Sequence, residues 1–243
     1  MKERLNKFIA STGYCSRRKA DILIKEGKVK VNGQKVSELG IKIDPSKDKV
    51  EVEGKILKPI SKKVYYKLYK PRGYLTALGK DKFGRKTLTD LFKEINFKEK
   101  VFPVGRLDLD SEGLLILTND GEFAYKLMHP SFKIPKKYIL KVEGRINAKD
   151  FNKIKKGTKL EDTFLKPDSV KILKKDEKST TVEIEIHSGQ KRILRRFFKK
   201  FGYPVKRLLR IQIGNIKLGD LKEKEIKIIG EEEILKLKRR LRK

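Results

Sequence analysis

One short stretch concentrates groups able to do chemistry. Between Gly105 and Gly113 the chain carries Arg106, Asp108, Asp110 and Glu112, directly ahead of the apolar run Leu114-Leu115-Ile116-Leu117. A carboxylate held against apolar structure can serve as a nucleophile or as a general base. The same acids between two glycines also fit a surface turn with solvated side chains. The rest of the sequence narrows the chemistry. Cys15 is the sole cysteine, and with His129 and His187 it forms no zinc set at a recognised spacing and no internal disulfide. Neither a Gly-x-Gly-x-x-Gly nor a Gly-Lys-Ser/Thr segment is present to cradle a nucleotide cofactor. Any reaction is therefore expected to run on side chains alone, with no cofactor and no metal.

The chain has 243 residues, with 63 Lys and Arg against 32 Asp and Glu, a formal net charge of +31. Hydrophobic residues are 37% and charged residues 39%, which points to a folded, very basic protein of one or two domains and not to a disordered chain. No run approaches the roughly 20 apolar residues of a spanning helix, and the start lacks the apolar stretch of a signal peptide. A cytoplasmic location without membrane contact is the expectation. Such a charge repels itself unless it faces a polyanion, of which nucleic acid is the first choice. Heat-adapted proteins also carry many Lys and Glu, but with the two signs interspersed. Here Ile186 to Gly219 contains no acid.

The elements that must position these groups begin with a small α/β module. Leu5, Phe8 and Ile9 fall at helical spacing. Ser16 is placed to cap a second helix over Arg17 to Glu26, which Gly27 ends. Lys28 to Val31 alternates as a strand, Asn32-Gly33 is a strong hairpin signal, and Lys49 to Gly54 alternates again. The runs Arg4 to Ala10, Cys15 to Ala20 and Gly27 to Gly33 together resemble the S4-type RNA-binding domain. Arg4 and Lys7 on the first helix, with Arg17, Arg18 and Lys19 at the positive end of the second, would form a phosphate-binding surface. Cys15 takes the place of a small apolar residue.

Lys58 to Lys63 reads as a linker, which gives a module of residues 1–60 and a second domain of residues 64–243. In the latter, strand-like segments (Val64 to Tyr69, Leu114 to Leu117, Lys137 to Val142, Thr180 to Ile186) mix with helical ones (Leu88 to Phe92, Glu122 to Leu127, Ala148 to Lys155, Arg192 to Phe201). The expected class is α+β, with a mixed, largely antiparallel sheet and flanking helices. Glu231 to Lys243 reads as a charged helix or tail.

Gly105-Arg106-Leu107-Asp108, followed by Gly113-Leu-Leu-Ile-Leu-Thr-Asn-Asp-Gly121, resembles the catalytic motif of RNA pseudouridine synthases, in the branch that modifies ribosomal RNA and carries an S4-type domain. Tyr69-Lys70-Pro71-Arg72-Gly73, Gly84 to Asp90, Leu127-Met128-His129-Pro130, Lys137-Tyr138 and Arg195-Arg196 follow in family order, so the resemblance spans essentially the whole chain. It implies conversion of a uridine to pseudouridine: the N1–C1′ bond breaks, the base turns, and C5 joins C1′. Nothing is oxidised, in keeping with the absence of any cofactor motif.

The resemblance further implies site residues. Asp108 is the carboxylate, as nucleophile or as base. Arg195 is the cation expected to keep it ionised, with Leu194 as an apolar wall and Arg192 one turn earlier. Lys191-Arg192-Ile193 departs from the family's usual pattern, which makes the basic partner of Asp108 the open point. Tyr138 is implied to stack on the flipped base, and Arg106 to contact RNA or fill the gap that the base leaves. Asp110, Glu112 and Asp120 are expected to be loop acids and a strand-end cap, and His129 to be structural. The implied partner is a structured stem-loop of ribosomal RNA acted on by a monomer, and 23S is favoured over 16S by Gly84-Arg85-Lys86 and Leu127 to Pro130. The rival of another class, a non-catalytic rRNA-binding assembly factor on the same scaffold, would need the S4-like module and the basic helix but not the ordered Asp108 and Tyr138 motifs.

Overall fold

The structure, a computed structural model, describes residues 2–60 and 62–241. Ser61 of the expected linker and the last two residues of the expected tail lie outside that description. The chain divides into two compact units, one reaching Val64 and taking in Asn119–Gly121, the other holding Tyr65–Thr118 and the chain from Glu122 onward.

In the first unit β1 (Glu3–Arg4) leads into α1 (Leu5–Ser11), followed by α2 (Arg17–Lys25), β2 (Val29–Val31), β3 (Gln34–Val36), β4 (Lys42–Ile43), β5 (Val50–Val52) and β6 (Lys55–Ile56). Leu5, Phe8 and Ile9 bury one face of α1 against Ala20, Leu23 and Ile24 of α2 and against the valines of β2 and β5. The Ser16 side chain accepts from the Lys19 amide at 3.3 Å and so caps α2. Its end is closed at Gly27, φ +63°, by bonds from the Gly27 amide to Ile24 O and from the Lys28 amide to Leu23 O, the double closure that glycine permits. Asn32 and Gly33 both take positive φ, as a two-residue hairpin between β2 and β3 requires. Arg4 departs from expectation: it stands in β1 as the residue capping α1, one position ahead of the helix.

The second unit is built on one mixed sheet. Its strands are β7 (Tyr65–Lys70), β8 (Phe102–Val104), β9 (Glu112–Thr118), β10 (Lys136–Glu143), the short pair β11 (Thr158–Lys159) and β12 (Phe164–Leu165) set apart from it, β13 (Ser169–Lys175), β14 (Ser179–Ile186), β15 (Val205–Ile213), β16 (Ile216–Lys217) and β17 (Ile226–Ile228). The order is β13-β14-β10-β15-β9-β7-β17, with β8 on β9 and β16 on β15. Every pairing is antiparallel except the central one, β15 with β9. Around the sheet lie α3 (Leu88–Glu94), α4 (Gly121–Met128), α5 (Ala148–Lys156), α6 (Ile193–Lys200) and α7 (Glu231–Arg240). The α+β class and largely antiparallel sheet expected from the sequence are present.

Strand β9 is buried at every position, which explains its unbroken apolar run. Beside it, Gly113 at φ +104° lets β15 approach closely, because a Cβ there would overlap the Arg210 main chain. Helix α6 buries Ile193, Leu194, Phe197 and Phe198 in a cluster with Tyr138, Leu140 and Ile184. It begins at Ile193, one residue later than the sequence suggests, because Arg192 adopts a left-handed conformation, φ +50°, as its cap. Among the described residues no helix is long and apolar enough to cross a membrane.

Candidate active site

A cleft of about 540 Å³ opens over the centre of the sheet. Its lining comes from the loop before β9 (Arg106, Leu107, Asp108, Ser111), from β10 (Lys136, Tyr138), from the turn into α6 (Lys191, Arg192, Leu194) and from β15 (Leu208, Arg210). Of the residues expected at a site, Asp108, Tyr138, Arg106, Arg192 and Leu194 therefore meet in one cavity.

The loop is fixed through its main chain. Six consecutive carbonyls each accept a hydrogen bond: Arg106 O from Arg210 Nη1 (3.4 Å), Leu107 O from Thr76 Oγ1 (2.7 Å), Asp108 O from Lys70 Nζ (3.3 Å), Leu109 O from the Gly73 amide (2.8 Å), Asp110 O from Arg195 Nη2 (2.9 Å) and Ser111 O from Lys70 Nζ (3.0 Å). A loop without secondary structure is thus as constrained as a strand, and the Asp108 carboxylate projects from rigid backbone. Lys70 has no solvent exposure. Burial, reinforced by the Arg210 charge and only partly offset by Asp108, Asp110 and Glu112, brings its ammonium down to about 8.

The three acids separate by environment. Glu112, 2% exposed, accepts from Arg207 Nε at 2.6 Å and from the Tyr69 hydroxyl at 3.1 Å. Burial acts to raise its pKa, but Arg207 and Tyr69 outweigh it and hold Glu112 below the usual value. Burial and the Glu112 charge push Tyr69 up to about 12. Asp110 accepts from Nη1 and Nη2 of Arg192, each at 3.1 Å, and pairs with Arg195 Nη2 at 3.2 Å. Here too burial opposes ionisation, and the two arginines overcome it. Asp108 faces the cleft, with Arg192 Nη1 at 3.9 Å from its carboxylate.

The expected pairing of Arg195 with Asp108 is therefore corrected. Arg195 gives its donors to Val205 O at 2.8 Å, to Asp110 O and to the Asp110 carboxylate, and it lies behind the loop and not among the residues lining the cleft. Arg192 and Arg195 are three apart and face the same loop, and the positive φ of Arg192 swings its side chain over the cleft mouth, nearer Asp108.

Tyr138 is 8% exposed: its ring packs with Leu140, Ile184 and Leu194 and also lines the cleft. Lys136, two residues earlier on the same strand face, and Arg210, directly across from Tyr138 on β15, complete that wall. Neither these two nor Lys70 was singled out from the sequence as a site residue, although Lys136 sits at the spacing that puts it beside Tyr138. His187 turns to Asp168 at 2.8 Å, and His129 accepts from the Ser131 amide as the cap of a single turn. In the first unit Arg4, Lys7, Arg17, Arg18 and Lys19 are all exposed. Lys7 pairs with Glu3 at 3.2 Å, and Arg17 reaches Asn6 at 3.5 Å. Cys15 is half-buried, and burial pushes its thiol up, which disfavours the reactive thiolate.

Residues 64–200 match the family model described as RNA pseudouridylate synthase, and residues 3–50 match the S4 domain. The chain belongs to the RNA pseudouridine synthase family. A family member of Aquifex aeolicus, described as an uncharacterized RNA pseudouridine synthase, is 49% identical over 98% of this chain and 94% of its own. Ribosomal large subunit pseudouridine synthase B of Bacillus subtilis is 44% identical over 97% of this chain and 96% of its own. A crystal structure of a pseudouridylate synthase superposes with a TM-score of 0.68 at 28% identity, covering 96% of this chain and 99% of the other. An S4 domain beside a pseudouridine synthase domain makes RNA the substrate, and the basic composition accords with it.

Proposed function

We propose that this pseudouridine synthase modifies a uridine of 23S ribosomal RNA and that Asp108 is its catalytic carboxylate. The observation that carries the reading is the pinned loop: six fastened carbonyls present one acid, Asp108, to a cleft walled by Tyr138 and Leu194, while the neighbouring acids are committed to ion pairs. From that position Asp108 acts at the sugar, by attack on C1′ or by removing a sugar proton. Tyr138 stacks on the extruded base against Leu194, and Arg106, exposed at the mouth, contacts the RNA that the base has left. Arg192 bridges Asp110 to the neighbourhood of Asp108. Arg195 acts through the loop as a positioning residue.

In the S4-type unit, Arg4, Lys7, Arg17, Arg18 and Lys19 grip phosphates, Arg17 to Lys19 with the help of the amino end of α2. The large-subunit target is supported by the 44% identity to the Bacillus subtilis relative that bears that name. The enzyme is read as a cytoplasmic monomer acting on a structured stem-loop. Carbodiimide primer extension tests the reading in cells that lack the gene. Complementation with the wild type, and not with Asp108→Ala, is expected to restore a single stop in 23S rRNA. A stop restored in 16S rRNA would overturn the target, and restoration by Asp108→Ala would overturn the catalytic assignment.

A further inference from the structure

The wall of the cleft that carries Tyr138 holds two cations whose partners are main-chain carbonyls. Arg210, 3% exposed, donates from Nε to Leu114 O at 2.8 Å and from Nη1 to Arg106 O at 3.4 Å. Its Nη2 is buried without a hydrogen-bond partner. Lys136 donates from Nζ to Ile134 O at 3.2 Å. Among the described residues neither meets a carboxylate, although an orphaned donor and two like charges in a low-dielectric wall are costly arrangements. Register places both beside the ring implied to hold the base: Tyr138 lies opposite Arg210, and Lys136 shares the face of Tyr138 two residues away. Burial and the charge of Arg210 bring Lys136 down to about 8.

The chemistry supplies an anion at that spot. When the N1–C1′ bond breaks, its electron pair leaves on the base. Asp108 forms a bond to C1′ or takes a sugar proton and becomes neutral, while uracil becomes a monoanion with charge on N1 and its two carbonyl oxygens. One negative charge thus moves from the carboxylate to the base. When C5 bonds to C1′, the charge returns to Asp108, and the proton on C5 is exchanged for one on N1. We propose that Lys136 Nζ, backed by the buried guanidinium charge of Arg210, receives the negative charge of the departing uracil, which makes Lys136 a catalytic residue for the cleavage step and Arg210 a residue that acts through its charge. This inference rests on the reading of Asp108 given above. Positive charge beside a base that becomes negative only after the bond begins to break acts on the transition state more than on bound substrate.

The test uses the full chain and 23S rRNA transcripts containing either uridine or 5-fluorouridine, whose base leaves more readily. C-glycoside products are counted by mass spectrometry after nuclease digestion, under single turnover. Lys136→Met is expected to slow the uridine reaction about 100-fold, the range for losing one oxyanion donor, with RNA affinity unchanged. On 5-fluorouridine, relative to wild type on the same RNA, its defect should shrink at least about fivefold, because a better leaving group needs less help. Arg210→Gln, which removes the charge but keeps a side-chain donor, should show the same narrowing. Equal defects on both transcripts, or weaker binding with unchanged turnover, would overturn the inference and assign these cations to a phosphate of the RNA backbone. Absence of product from the wild type would instead overturn the reading of the cleft, and the inference with it.

Discussion

Two regions of this chain use the same residue types in opposite ways. On the S4-type unit Arg4, Lys7, Arg17, Arg18 and Lys19 stand in solvent, where each is loosely tied and screened by salt. Around the cleft Lys70, Arg195 and Arg210 are sunk into the protein, their donors fixed on loop carbonyls. An exposed cation contributes grip, in proportion to the phosphates it meets and to the salt concentration. A buried cation contributes placement and potential, which salt scarcely touches. The excess of 63 basic residues over 32 acidic ones is therefore two functions, and only the exposed part should behave as a polyelectrolyte.

The contrast can be broken at its strongest point first. Asp108→Ala removes the group that the buried cations organise. Turnover should fall by about 10⁴-fold or more, with rRNA affinity within a factor of two by filter binding. A comparable loss of affinity would mean that the cleft is a grip and not a reaction site. Arg192→Ala releases Asp110 and the cation nearest Asp108, and about a 10²-fold fall in single-turnover rate is expected from the misplaced loop.

Smaller effects sharpen the other side. Replacing Arg17, Arg18 and Lys19 together by alanine should weaken rRNA binding and lower the slope of log affinity against log salt by about 2 to 3. An unchanged slope would remove this face from the RNA contact. Lys70 offers a pH test of burial. Its folded pKa, about 8, lies below the usual 10.5. The unfolded chain therefore binds more protons between those values, and the cost of burying the ammonium is fully present below pH 8 and relieved as the pH rises toward 10.5. Denaturant titrations should show the wild type gaining stability relative to Lys70→Met across that window, and parallel curves would contradict it.

Much of the fold was legible because local signals agreed with tertiary need. Ser16 caps, Gly27 closes, Asn32-Gly33 turns, and the alternation over Thr180 to Ile186 is a strand with one face buried. Strand β15 was not, although it is central. Lys206-Arg207 and Leu208-Leu209 break the period of two, and its ladder with β10 is irregular between Lys137 and Tyr138 and between Lys141 and Val142. The site divides in the same way. Asp108, Tyr138 and Leu194 were visible because their motifs are ordered along the chain. Lys70, Lys136 and Arg210 were not, because among so many basic residues only burial distinguishes a cation under a loop from one in water. Arg195 went to the wrong acid for a related reason: helical spacing shows that Arg192 and Arg195 share a face, but only the fold shows which carboxylate each one meets.

The most direct test sets Asp108→Asn against Asp110→Asn, two residues apart on one pinned loop. Pseudouridine in 23S rRNA would be measured under single turnover with saturating enzyme, after confirming equal RNA binding and cooperative unfolding. Asp108→Asn is expected to form no product over hours, while Asp110→Asn is slowed yet completes the reaction. A dead Asp110→Asn beside an active Asp108→Asn would contradict the account.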